Sequence, residues 1–104
     1  MAASMTPMED AIRTKVTAAL APSSLEIFND SHKHSHHKAM QGTTSQETHF
    51  RVYITSEQFE GKRQPARHRE VYTLLKDELA AQGGIHALQL RTKTPQEVAA
   101  TEAK

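Results

Sequence analysis

The chain predicts an α+β domain with a small three-stranded mixed sheet and helices on one of its faces. Three observations carry that expectation: two apolar stripes at helical spacing, three short segments in which apolar residues alternate, and turn signals between them. The 104 residues suit a single domain over 1–104. Its ordered core is expected to span 6–98, with a His-rich loop at 30–46 and frayed termini.

The elements follow in order. Thr6-Pro7-Met8-Glu9 reads as a helix start: Thr6 can cap a free N–H, Pro7 loses nothing at the first helical position, and Glu9 can bond back to the cap. Met8, Ile12, Val16 and Leu20 then recur every four residues with Ala19 beside them, forming one apolar stripe. Ala21-Pro22 ends the helix. Leu25-Glu26-Ile27-Phe28 is a short strand with Leu25 and Ile27 on one face.

Asp30 to Gln46 is polar and has neither period, and loops of that length are usually functional or disordered. Phe50, Val52 and Ile54 alternate with Arg51, Tyr53 and Thr55, the clearest strand in the chain. A turn region around Gly61 precedes Pro65, which opens a second helix. Its stripe is Val71, Tyr72, Leu75 and Leu79, flanked by Leu74, and Gly83-Gly84 stops it. Ile85 to Thr92 forms a third strand with His86, Leu88 and Leu90 on one face. Thr94-Pro95-Gln96-Glu97 repeats the cap signature and starts a short last helix, expected to fray from Ala99.

Composition narrows the function. Apolar residues make up 37% of the chain and Trp is absent, so a module working at its surface or with a partner is expected rather than a deep dry pocket. A formal charge of +1 is too mild to argue nucleic-acid binding without a local patch. The absence of Cys excludes disulfides, thiolate zinc sites and a self-held iron–sulfur cluster. No apolar run is long enough to span a bilayer, so no membrane role is expected. The start, Met1-Ala2-Ala3-Ser4-Met5, lacks the Arg-rich pattern of an organelle transit peptide.

Two features stand out chemically. The first is histidine: of seven, four lie in His32-Lys33-His34-Ser35-His36-His37. Imidazole suits iron, zinc, copper and nickel, so the run reads either as a metal-binding segment or as a solvated polar loop. Strand spacing would put His34 and His36 on one side, and a turn could join His32 to His37. His86 stands apart at the mouth of a strand, where a lone His is more often structural than a ligand. His68 sits in line with the second helix's stripe, and His49 beside Glu47 makes a weak hard-metal pair.

The second feature is basic. Lys62, Arg63, Arg67 and Arg69 crowd a helix N-terminus, where cations oppose the helix dipole unless an anion arrives. They form either a landing site for nucleic acid or an acidic partner face, or a solvated charge run. No aromatic residue interleaves with them, so base stacking is unsupported.

Read together, these segments resemble the BolA family. The matching stretches are Leu25 to His34, Glu47-Thr48-His49-Phe50-Arg51-Val52, Phe59-Glu60-Gly61, Arg67-His68-Arg69-Glu70-Val71-Tyr72 and Ile85-His86-Ala87-Leu88. The resemblance implies an α-β-β-α-α-β-α order akin to the class II KH fold. It also implies an adaptor, not an enzyme, that assembles or traffics iron–sulfur clusters with a monothiol glutaredoxin. The chain would be a monomer alone and a heterodimer with that partner. A [2Fe–2S] cluster would be shared, held by the partner's Cys and glutathione on one side and by His34 and His86 on the other. His32, His36 and His37 are further candidate loop ligands. The mitochondrial matrix or chloroplast stroma is the compartment the resemblance suggests, with the cytoplasm as an alternative.

Imidazoles can complete such a site but not build one without thiolates, and they should raise its potential. The chain departs from the family pattern at Val98, where many members carry Trp. It also lacks the Gly-x-x-Gly loop of KH domains, since Glu60-Gly61-Lys62-Arg63 has one glycine. The alternative function is a stress-linked DNA- or RNA-binding protein using the basic patch. Metal-dependent nuclease activity is its least supported form, because no acidic metal cluster is visible.

Overall fold

The first helix, α1, spans Pro7–Leu20 and starts where the Thr-Pro-Met-Glu signal places it. The structure, a computed structural model, describes residues 6–30, 48–81 and 84–102. Thr6 makes no side-chain cap hydrogen bond; its carbonyl accepts from the Asp10 N–H instead. Ile12, Val16 and Leu20 are buried, and Met8 packs at their edge. Ala19 is exposed, because it lies off the four-residue row the stripe follows. The helix ends at Ala21 in the left-handed region, with φ 42° and its N–H bonded to Thr17 O.

Strand β1, Ser24–Asn29, pairs antiparallel with β2, His49–Thr55. Strand β3, Ala87–Lys93, pairs parallel with β2, giving the mixed order β1-β2-β3. Phe50, Val52 and Ile54 are buried while the residues between them are half-buried, so β2 shows the predicted alternation. The buried face meets α1, Phe59, Ile85 and the second helical run.

That run is less regular than one stripe predicts. A 3-10 turn at Glu57–Phe59 precedes α2, Gln64–Leu74, and α3, Lys76–Ala80. Leu75 separates the two helices with ψ at 16°. Val71 and Leu75 are buried as expected, but Tyr72 is 41% exposed. Rows four apart put Arg67, Val71 and Leu75 on one side, and Tyr72 lies a step around the helix from them. After α3, Gly84 is held against the carbonyls of Glu78 and Ala81, where a Cβ has no room. Gln82 and Gly83 lie outside the described residues.

The closing signal is realised in full. Thr94 and Glu97 form a reciprocal capping box at the start of α4, Pro95–Glu102. The Thr94 N–H donates to Glu97 Oε1 at 2.9 Å, and the Glu97 N–H donates to Thr94 Oγ1 at 3.2 Å. The helix runs through Ala99 to Glu102. The element order is thus α-β-β-α-α-β-α, apart from the 3-10 turn.

Ser56 ties three pieces together from a fully buried position. Its Oγ donates to Leu20 O at 2.6 Å and accepts from the Gln58 N–H, while its own N–H bonds Lys93 O. The end of α1, the 3-10 turn and the end of β3 therefore share one small polar node.

Candidate functional site

His86 sits one residue before β3 and is exposed. It does not share the half-buried face of Leu88 and Leu90, because the ladder begins only at Ala87. Its N–H donates to Thr48 O at 2.7 Å, and the same carbonyl accepts from Ala87 N–H at 3.0 Å. Thr48 is buried, so this doubled bond pins the mouth of β3 to the residue just before β2.

The segment 31–47, with His32, His34, His36 and His37, lies outside the described residues. Its two roots do not. Thr48 is one. Asp30 is the other, and its N–H donates to His49 O at 2.8 Å. Asp30 also grips Arg51, with Arg51 Nε at 2.6 Å from Oδ2 and Nη2 at 3.1 Å from Oδ1. This two-point clamp holds the Arg51 guanidinium protonated above its usual range, with the Tyr53 hydroxyl as a second cause. The His-rich segment thus leaves the fold at Asp30 and re-enters it at Thr48, whose carbonyl holds the His86 N–H.

His49 pairs in register with Ala87, and its Nδ1 lies 2.8 Å from Thr48 Oγ1. Its proposed companion Glu47 is outside the described residues. His68 is half-buried, but it faces a shallow groove with Pro65, Arg69, Tyr72 and Lys76 rather than the core stripe. Among the described residues, no three His, Asp or Glu side chains gather to hold a metal, and no helix is long and apolar enough to cross a membrane.

The basic patch is corrected by the structure. Arg67 is only 4% exposed. Its Nη1 and Nη2 donate to Glu97 Oε1 and Oε2 at 2.8 and 2.9 Å, its Nε donates to Lys62 O, and Nη1 also reaches Thr92 O. The guanidinium lies 5.8 Å from the Phe59 ring centroid. Hydrogen bonding to Arg67, then to the Thr94 N–H, pulls the Glu97 carboxyl down to about 2. Lys62 Nζ bonds Glu70 at 2.7 Å. Among the described residues, Arg63 and Arg69 are the two of the four that remain exposed cations without an ion pair. Arg67 turns inward because it lies four and eight residues before Val71 and Leu75.

Comparison with known proteins decides what this arrangement belongs to. Residues 16–97 match the family described as BolA-like protein. The chain belongs to the BolA family. It is 50% identical over 92 residues to the UV-induced protein uvi31 of Schizosaccharomyces pombe, covering 86% of this chain and 88% of that one. Among solved structures it is similar to BolA1 from Arabidopsis thaliana, with a TM-score of 0.75 at 40% identity, covering 93% of this chain and 97% of the other. The BolA domain of SufE1 from the same plant gives 0.73 at 39% identity, covering 91% and 99%. The chain spans 52% of chloroplast BOLA1 and 24% of SufE-like protein 1. BolA proteins are generally adaptors or regulators, and the matched span includes the His-rich segment, His86 and the Arg67–Glu97 pair.

Sequence reading missed three members of this BolA site region. Asp30 and Thr48 bracket the loop and Arg51 locks its first root, yet only the strand alternation hinted that Arg51 would project away from the core. The sheet's other face therefore carries Phe28, Arg51, Tyr53 and Arg91. Phe28 and Tyr53 meet edge to face at 5.2 Å, Arg51 covers Phe28 at 4.5 Å and Arg91 covers Tyr53 at 4.7 Å.

Proposed function

We propose that this BolA-family protein is an adaptor in iron–sulfur cluster assembly or trafficking that binds a monothiol glutaredoxin and shares a [2Fe–2S] cluster with it. The observation that carries the proposal is the bond from the His86 N–H to Thr48 O. It places the exposed His86 beside Thr48, where the segment with His32, His34, His36 and His37 re-enters the fold. The donor set fits a shared cluster and not a resident one, because the chain has no thiolate to offer. The partner's Cys and glutathione would supply the thiolates, and His86 with a loop histidine would supply nitrogen. His34 is the first loop candidate, with His32, His36 and His37 behind it. A similar BolA domain stands within a SufE-like protein, which fits an iron–sulfur-related role.

The nucleic-acid reading has weaker support, because Arg67 is buried against Glu97 and Lys62 is paired with Glu70. The two exposed cations left, Arg63 and Arg69, make a thin footprint for a phosphate backbone.

Size-exclusion chromatography of the chain mixed with a cluster-loaded monothiol glutaredoxin tests the proposal. A brown one-to-one complex is expected. Separate elution, with all colour staying on the glutaredoxin, contradicts it.

A further inference from the structure

We infer that the groove between the open face of the sheet and α4 is a binding site for a small organic phosphate, with the phosphate on Arg91 and Lys93 and a flat apolar body against α4.

The groove encloses about 510 Å³, within the size range of small-molecule sites. Its floor is Tyr53 and Thr55 of β2 with Arg91 and Lys93 of β3, and its far wall is Pro95, Val98 and Ala99 of α4. It lies at the opposite end of the strands from His86, since β2 and β3 run in parallel from His49 and Ala87 toward Thr55 and Lys93. The site proposed for the cluster therefore has no part in it, and the inference does not depend on that proposal.

Charge argues for the anion. Arg91 and Lys93 are two residues apart on one strand and so project to the same face. Among the described residues neither has an ion-pair partner. Lys93 lies near enough to Glu97 to help keep that carboxylate ionised, but Glu97 spends both oxygens on Arg67. Two adjacent cations repel each other and are relieved by a doubly charged anion. The hydroxyls of Ser24 and Thr55, in register with each other and with Lys93, offer further donors. Glu26 occupies the β1 side, which disfavours an anion there and sets the ligand's direction.

The floor is already rigid. Arg91 lies over the Tyr53 ring at 4.7 Å. That ring is held edge to face by Phe28, and its hydroxyl accepts from Arg51, which Asp30 clamps. A preorganised site loses little freedom on binding. Val98 and Ala99 add the apolar wall, and the exposed Arg91 has a planar guanidinium of the kind that stacks on flat groups.

Titration of the full ¹⁵N-labelled chain with phenyl phosphate, and separately with inorganic phosphate, tests this by NMR. Saturating amide shifts at Ser24, Thr55, Lys93 and Ala99 are expected, with phenyl phosphate the tighter ligand. Lys93→Gln should weaken it by about tenfold. Ala99→Glu, at an exposed helix position, should do the same by charge and bulk. Shifts scattered over surface cations without saturation overturn the site. Unchanged affinity in both variants does so too, and equal affinity for inorganic phosphate overturns the organic ligand class.

Discussion

Arg67 and Glu97 form a two-point ion pair, at 2.8 and 2.9 Å, between the first turn of α2 and the first turn of α4. One carboxylate thus closes a capping box and neutralises a buried guanidinium at once. Glu97→Gln keeps the box but leaves Arg67 without its counter-ion. Glu97 is 47% exposed, so solvent screens part of the loss, and the expected cost is about 1–3 kcal/mol. Urea unfolding measures it; a change below about 0.5 kcal/mol contradicts the role given to the pair.

The same pair sets an acid dependence. The Glu97 carboxyl is lowered from 4.5 to about 2 by Arg67 and the Thr94 N–H. A group depressed on folding contributes stability that is complete above its unfolded value and is lost as pH falls through the folded one. The wild type should therefore lose stability between pH 4.5 and 2 that Glu97→Gln does not lose. Parallel stability curves for the two proteins over that window would refute this assignment.

The exposed and buried members of the basic run should behave differently. Arg63→Gln with Arg69→Gln is expected to leave stability within about 0.5 kcal/mol of wild type. Arg67→Gln should cost several times that, since its nitrogens serve Lys62 O, Thr92 O and Glu97 together. Equal effects would restore the four cations to one solvated surface.

Ala21 closes α1 in the left-handed region at φ 42°, immediately before Pro22. A Cβ is strained there, and glycine is not. Ala21→Gly should stabilise the protein by about 0.5–1 kcal/mol, read as a raised denaturant midpoint with unchanged slope. Destabilisation would mean that the helix end is set by something other than this residue.

These contrasts show what a sequence of this kind discloses. The Phe50/Val52/Ile54 alternation and the Ile12/Val16/Leu20 row are dense enough to define faces by themselves, and both are buried as read. Thr94 and Glu97 are legible because a capping box is local. Arg67 was misread because charge type outweighed position: its spacing from Val71 and Leu75 already placed it inward. Tyr72 was misread in the opposite sense, as an apolar ring on a polar side. The clamp of Asp30 on Arg51 joins residues 21 apart in sequence, and no local period marks such a contact. His86 was legible as a singular residue, but its link to Thr48 depends on the parallel pairing of β2 and β3.

The most direct test of the cluster proposal is visible circular dichroism of the chain with cluster-loaded monothiol glutaredoxin, compared with His86→Ala and His34→Ala. The account predicts a spectrum distinct from that of the glutaredoxin alone, lost with His86→Ala and altered with His34→Ala, in variants that remain folded. A spectrum unchanged by His86→Ala would contradict the assignment of that imidazole as a ligand.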